Sequence, residues 1–484
     1  MNPDLNNDAD SVRRMNALIA RELEERFEKS TEVAQADLVI CGALSRSSFD
    51  GPPRVIFAHG ALGDPGHWAL TIPKVRCCDV LIVNSTADKR LAERMLSQEK
   101  RCKIIHLPLF ADTRVFRPLH EDRNKLRQSF GIEGQGPLLV VASRIIPGKN
   151  VSGAIHFLSE LHRLIPNACL AIAGEGVPDH VSYCRNLVRH FGLCDRVDFL
   201  GHLTLQRLNS LFNAADFLVH LALMRKENFG LALVEAQAAG LPVLASHWAG
   251  FRDLIIPEET GFYADTYLTS TGRYANWLSA VLPLAGILTD ELQIRSMRLK
   301  AIKHANLHYH QEAFFRRLEW LLAEASQIKG ISVEPVRLSD AGKALVIDFM
   351  QMALTSPGGG DSKAIAEMME NNYFSDPESP YRKLNACYAT RNSPHSPDGH
   401  SVLYRYGRAC LADGYRFRIE SMRGTREVPC TPAAIEIWQQ LSTPTTVWEL
   451  SERLSIEENH IYETLNLLID QGVIGCLPQK DSNP

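Results

Sequence analysis

At 484 residues, with 45% hydrophobic and 22% charged side chains, the chain can bury two or three separate cores; its length suggests about three domains, and its composition excludes a disordered protein. A formal net charge of −4 excludes a global basic field, so nucleic acid is not advertised as a partner. Eleven cysteines contain no CxxC pair, and MNPDLNNDADSVRR lacks the apolar core of a signal peptide, which together predict reduced thiols in a cytoplasmic protein.

In chain order, SVRRMNALIARELEERFEKS from position 11 sets Val12, Met15, Ile19, Leu23 and Phe27 on one stripe, predicting an amphipathic helix. Short apolar runs at 37 (DLVICGA), 54 (RVIFAHG), 79 (DVLIVNS) and 103 (KIIHLPL) are separated by helix-sized polar intervals and read as buried parallel strands. Cys77 and Cys78 read as core filler beside the third run. A second series starts at 137 (PLLVVASR) and continues at 168, 196, 215 and 241. Two doubly wound α/β halves therefore account for residues 30 to about 300, with ligand expected in the crevice outside the strands' carboxyl ends. The longest apolar stretch, Trp277 to Leu288, carries Pro283 and is shorter than the roughly 20 residues of a membrane span, so any membrane contact would be peripheral.

Residues 304–325 predict one more amphipathic helix, after which SPGGGDS at 356 and NSPHSPDGH at 392 look like linkers. The last 80 residues read as a small separate domain. ACLADGYRFRI (409–419) alternates Tyr415, Phe417 and Ile419 with arginines beside Asp413-Gly414, a hairpin signal. Three short helices follow, two announced by capping boxes, Thr446 with Glu449 and Ser455 with Glu458. A β-ribbon plus three helices is the plan of a winged helix.

The stretch KENFGLALVEAQAAGLPVLAS (226–246) holds Glu227 and Glu235 eight positions apart. Gly240 and Pro242 end a helix near Ala239 that runs back to about Phe229. Glu227 and Asn228 then stand at its N-terminus, where free amides and the macrodipole favour hydroxyl or phosphate oxygens. The plain alternative is an acidic first turn and one solvated glutamate. Context argues against it: ASRIIPGKN (142–150) ends another strand of the same half and supplies Arg144 and Lys149, charge-assisted partners for a diphosphate.

From about 37 to 325 the chain resembles a family-four glycosyltransferase of the GT-B fold. The matching pieces are SRIIPGKN, LAIAGEG, RVDFLGH, ENFGLALVEAQAAGLPVLAS with its E-x7-E spacing, and AGFRDLI…EETGF. The resemblance implies two Rossmann-like domains facing a cleft, a nucleotide-sugar donor (a UDP- or GDP-sugar) held mainly by the second, and retaining hexosyl transfer without a metal; no permanently bound cofactor is expected. Carried onto these residues, it gives Arg144 and Lys149 the donor diphosphate and Glu227 the sugar hydroxyls. The segment Asn228, Phe229, Gly230 and Leu231 takes the sugar and phosphate edge, Glu235 the ribose, Gly201 the base, and His59 with Gly60 the sugar from the first domain. His67 is a weaker candidate. Departures are a short first domain, a polar opening helix, His220-Leu221 before the first glutamate and Leu109-Phe110 after Pro108; HGALGDPGHW (59–68) could stand in for a missing phosphate-facing loop.

Residues 400–478 resemble the PqqD-like winged-helix domains that recognise leader peptides. A DNA-reading winged helix is disfavoured, because Thr431 to Pro478 carries one basic residue, Arg453, against seven acidic ones. Arg405, Arg408, Arg416 and Arg418 on the ribbon could instead meet an acidic peptide added at its edge. The expected organisation is a shortened acceptor-side domain (1–120), a donor domain with return helix (121–327), a linker region (328–399) and a PqqD-like domain (400–480). The expected activity is transfer of a sugar to a peptide or protein recruited by the tail. The alternatives are polysaccharide or lipid-glycan synthesis, or a GT-B scaffold that only binds.

Overall fold

The computed structural model describes residues 8–29, 36–44, 51–132, 136–269, 272–327 and 333–355, isolated positions up to 388, and most of 402–477. All nine apolar runs are strands. In the first sheet β1 (Val39–Cys41), β2 (Arg54–Phe57), β3 (Val80–Val83) and β4 (Lys103–His106) lie parallel in the order β1-β2-β3-β4. The second sheet holds β5 (Leu138–Ala142), β6 (Cys169–Ala173), β7 (Val197–Gly201), β8 (Phe217–His220), β9 (Val243–Ser246), β10 (Gly261–Thr269) and β11 (Gly272–Asn276), ordered β11-β10-β9-β8-β5-β6-β7. Of these two sheets, only the second reverses its strand order among the described residues, between β5 and β8. The doubly wound pattern expected of both halves is therefore confined to the second.

Sequential order in the first sheet has a packing consequence. Right-handed crossovers put connecting helices on one face, here α2 (Pro65–Leu70) and α3 (Thr86–Met95). Val55, Phe57, Val80 and Ile82 are left on the other face, and they cluster with Met15, Ile19 and Leu23 of α1 (Asp8–Arg26). The predicted stripe is borne out there, but Phe27 lies beyond the helix and is exposed. Asp79, fully buried before β3, accepts hydrogen bonds from Arg54 Nε (3.0 Å) and Arg76 Nη2 (2.9 Å) and fastens the β2 and β3 starts together. Cys78 is buried beside β3, and Cys77 directs its thiol to the Pro335 carbonyl at 3.8 Å.

The second domain adds α4 (Arg123–Gln128), α5 (Val151–Leu164), α6 (Pro178–His190), α7 (Leu205–Ala214), α8 (Leu231–Ala238), α9 (Val281–Leu288) and α10 (Glu291–His308). The return helix α11 (Gln311–Ser326) brings Phe314, Phe315 and Leu318 back to the core that α1 joins. Within the stretch read as a linker, Asp340–Thr355 forms α12, which packs on α2 and α3 through Leu345, Phe349 and Met352. The glycine-rich segments at 356 and 392 lie outside the described residues. No helix of the described residues is long and apolar enough to cross a membrane.

In the tail, β13 (Ala409–Ala412), β14 (Arg416–Ser421) and β15 (Gly424–Pro429) form an antiparallel meander, so the expected hairpin is present. Strand β12 (Val402–Arg405) pairs with β16 (Thr445–Thr446) and β17 (Ile474–Leu477), around α13 (Pro432–Gln440), α14 (Val447–Leu454) and α15 (Glu458–Asp470). The Thr446–Glu449 capping box is made in both directions, at 3.0 and 3.2 Å; Ser455 lies outside the described residues. Strand β17 packs against the turn Trp277–Ala280 of the second domain.

Candidate active site

The reversal between β5 and β8 is where a crevice opens in a sheet of this type, and both loops that leave it carry the predicted residues. After β5 the chain makes a short turn, Pro147–Lys149, ended by Asn150 in the left-handed region (φ 53°). The Asn150 side chain caps α5 at Gly153 N (3.0 Å) and donates to Leu221 O (3.0 Å), which ties this loop to the one after β8. Lys149 is thereby delivered to Glu227, and their side chains form an ion pair across 78 positions of sequence.

Burial alone would push the Glu227 carboxyl up, but Lys149, with Arg144 adding to it, wins and holds it below the ordinary range. Burial lowers the Arg144 guanidinium, with Glu227 opposing. Burial, reinforced by Lys149, drives the His220 imidazole down to about 4, so the ring is neutral at physiological pH.

Gly230 (φ 107°) caps the N-terminus of α8, and an added Cβ would meet the Phe251 ring at 2.7 Å. The helix starts at Leu231, two residues later than the sequence pattern predicts, because Asn228 and Phe229 belong to the entry loop. Phe229 turns its ring into the core against Tyr309 (centroids 5.8 Å apart), so what it offers the cleft is backbone. Asn228 crosses to the first domain, donating to Asn84 Oδ1 at 3.0 Å.

From that domain comes His59, in the left-handed region (φ 43°), followed by Gly60 (φ 76°). Such backbone for a histidine is strained and is held by its surroundings. Its ring stacks on Phe57 (5.4 Å), and its Nε2 meets Asn16 Oδ1 at 3.0 Å. Asn16 spends its amide NH2 on Gly42 O (3.0 Å), so its oxygen faces the ring and the Nε2–H tautomer is selected. Burial, opposed by Asn84, lowers this imidazole to about 4. His59 is thus a neutral hydrogen-bonding group.

A cavity of about 590 Å³ brings together His59, Arg144, Lys149, Glu227, Asn228, Phe229, Gly230, Leu231 and Glu235. Gly60 and Gly201 do not line it; Gly201 ends β7 at φ 67° and passes the lining role to His202, Leu203 and Thr204. Gly60 acts instead at the seam between domains, where an added Cβ would stand 2.5 Å from Lys226 O. Gly60→Ala is therefore expected to cost about 1–3 kcal/mol and to weaken ligand binding, measured by thermal unfolding and titration calorimetry together. The HGALGDPGHW loop faces that seam too: Asp64 pairs with Lys226 Nζ at 2.9 Å, and of residues 59–68 only His59 lines the cavity, so His67 is not part of it.

The sequence pattern missed a fourth wall. Ser11, Val12, Arg14 and Met15 of α1 line the cavity, and Arg14 makes an ion pair with Glu235. Nothing local signals a partner 221 positions away. Among the described residues no cluster of histidine, cysteine or acidic side chains could hold a metal ion. The arrangement can neutralise a diphosphate with Arg144 and Lys149, present backbone amides at the start of α8, and accept hydroxyl protons on two carboxylates.

The paired α/β sheets have the GT-B glycosyltransferase arrangement, and residues 122–279 match the family model described as Glycosyl transferases group 1. Within it lie Arg144, Lys149, Glu227 and Glu235; His59 comes from outside. Among curated proteins the chain is 29% identical over 232 residues to D-inositol 3-phosphate glycosyltransferase of Nocardia farcinica, covering 47% of this chain and 49% of that one. It is 30% identical over 165 residues to a GDP-mannose-dependent alpha-(1-6)-phosphatidylinositol monomannoside mannosyltransferase of Mycobacterium tuberculosis, covering 33% and 42%. The chain thus spans less than half the length of either relative. A solved glycosyltransferase from Rickettsia africae shares the fold with a TM-score of 0.50 at 14% identity, over 66% of this chain and 82% of that one.

Proposed function

We propose that the protein is a retaining hexosyltransferase that takes its sugar from a nucleotide-sugar donor without a metal. The observation that carries this reading is the meeting of Arg144, Lys149 and Glu227 with the start of α8 at the strand-order reversal, inside the matched domain. As the anomeric C–O bond breaks, the nucleoside diphosphate leaves with the electron pair, and the two cations stabilise the charge that grows on it. Glu227 and neutral His59 hold the sugar hydroxyls. A GDP- or UDP-sugar is the donor class; the mycobacterial relative's name specifies GDP-mannose. A panel of UDP-, GDP- and ADP-sugars tests the reading: at least one should raise the melting temperature and be slowly hydrolysed. If none does either, the protein is a binding scaffold and the enzymatic reading falls.

For the acceptor, we propose that the tail is a PqqD-like winged helix that recruits a peptide or protein. A second reading, an inositol-type or lipid acceptor bound in the cleft, is favoured by the relatives' names and by one contact. Arg416 and Arg418 already face Glu427 on the neighbouring strand, at 3.5 and 3.1 Å, so part of the charge meant for an acidic peptide is neutralised within the ribbon. The side chain of Arg405, and Arg408 altogether, lie outside the described residues. Reversing Arg416 and Arg418 to Glu separates the readings, since only a tail-recruited acceptor would lose transfer while donor hydrolysis persists.

A further inference from the structure

We infer that helix α1 is a working part of the donor site, in which Arg14 is a positioning residue that keeps Glu235 ready, as a carboxylate, for the donor's ribose. The inference rests on the donor reading above and adds to it an element from outside the matched domain.

The geometry has three parts. Helix α1 is anchored on the uncovered face of the first sheet by Met15, Ile19 and Leu23, so the turn bearing Arg14 and Asn16 is fixed by packing. From that turn Arg14 reaches Glu235 of α8 in the second domain, while Asn16 accepts from His59 Nε2 in the first. One turn of one helix therefore sets a side chain on each side of the cleft. Glu235 is only 5% exposed, and the Arg14 contact engages Oε1.

A carboxylate has about four lone-pair sites, so one guanidinium contact leaves acceptors on Oε1 and Oε2 for a vicinal diol. The difficulty is desolvation, which favours the neutral acid. The Glu235 carboxyl is indeed raised above its ordinary value, by burial first and with Asp112 adding to it; Arg14 is the charge that opposes this. Without Arg14 the group moves further toward the acid, which can no longer accept from two hydroxyls with both oxygens. Arg14 could instead be a plug that competes with the ribose for Glu235, and that alternative predicts the opposite sign.

The test is calorimetric titration of the full chain with UDP, GDP and ADP, each beside its 2′-deoxy form, across pH 5.5–8.5, for the wild type, Arg14→Ala and Arg14→Lys. The wild type should prefer the ribonucleotide it binds by about tenfold or more, as for a hydrogen bond to a charged group. Arg14→Ala should lose on the order of tenfold for that nucleotide and little for its deoxy form, so the preference collapses. The acid limb of its affinity profile should move to higher pH, and Arg14→Lys should recover part of both effects. Tighter binding by Arg14→Ala would make Arg14 a plug and overturn the inference; so would an unchanged ribose preference with an unchanged pH profile. If Arg14→Ala does not fold, Arg14→Lys and Arg14→Gln carry the same comparison. A wild type that binds none of the three nucleotides would overturn the donor reading and this inference with it.

Discussion

Lys149→Ala is expected to lower kcat by about 10²–10³-fold, the scale of losing one preorganised electrostatic group at the departing charge. A second effect follows from the ion pair. Lys149 is the main influence that holds the buried Glu227 carboxyl below its ordinary value, against burial, which pushes it up. Removing the ammonium hands control to burial, so the carboxyl titrates higher and the acid limb of kcat/KM should shift to higher pH. Steady-state kinetics across pH on the best donor, with a melting curve to confirm folding, give both numbers. A uniform fall of a few fold with no shift of the limb would mean that Lys149 neither stabilises the departing charge nor sets the Glu227 carboxyl. Glu235→Ala is the useful contrast, because its loss should fall on donor affinity.

The largest expected stability effect is away from the cleft. Asp79→Ala should cost about 3–5 kcal/mol, because it leaves two buried guanidinium groups, Arg54 and Arg76, without their shared counter-charge. Arg54 keeps a bond to Lys74 O (2.7 Å) and Arg76 keeps bonds to Gly51 O (2.8 Å) and Pro52 O (2.6 Å), carbonyls that carry no net charge. Burial raises the Asp79 carboxyl, but hydrogen bonds from Arg54 and Arg76 more than offset it, so the folded value lies below the unfolded one. The contribution is therefore fully present above the unfolded value of about 3.9 and is lost as pH falls through the folded one. Urea titrations at pH 7 and at about pH 3 should show the mutant penalty shrinking on the acid side. A loss under about 1 kcal/mol would mean that water reaches both arginines.

What could be read from the chain, and what could not, divides by range. The nine strands are short apolar runs, a local signal that holds even for the edge strands β1 and β4, which are only partly buried, and the β5 and β8 loops carry glycine, proline and cations at fixed spacing. Arg144, Lys149, Glu227 and Glu235 were legible for that reason. Strand order is set by packing between distant segments, so the absence of a reversal in the first sheet left no mark that periodicity could reveal. In the sequence Arg14 is one more charge on the polar side of an amphipathic helix; its pairing with Glu235 exists only when α8 is brought alongside. The segment Asp340–Thr355 had a local signal, Leu345, Phe349 and Met352 at helical spacing, but the glycine-rich stretch after it drew the linker reading over both. Gly201 and Gly60 stand at positive φ in turns that place their neighbours, and a sequence pattern does not separate that role from ligand contact.

The unreversed first sheet also bears on how the polypeptide is made. By the time residue 106 is joined, all four of its strands exist, yet one face still lacks α11, which ends at Ser326. At about 5–20 residues per second the ribosome needs roughly 10–40 s to supply the intervening stretch. During that interval Val55, Phe57, Val80 and Ile82 have α1 and the segment just after β4, Leu107 to Phe116, to cluster with, but not Phe314, Phe315 and Leu318. The nascent first domain thus keeps part of an apolar face open until the second has been synthesised, and ribosome-bound chains halted before Phe314 should remain protease-sensitive where those released after Ser326 become resistant.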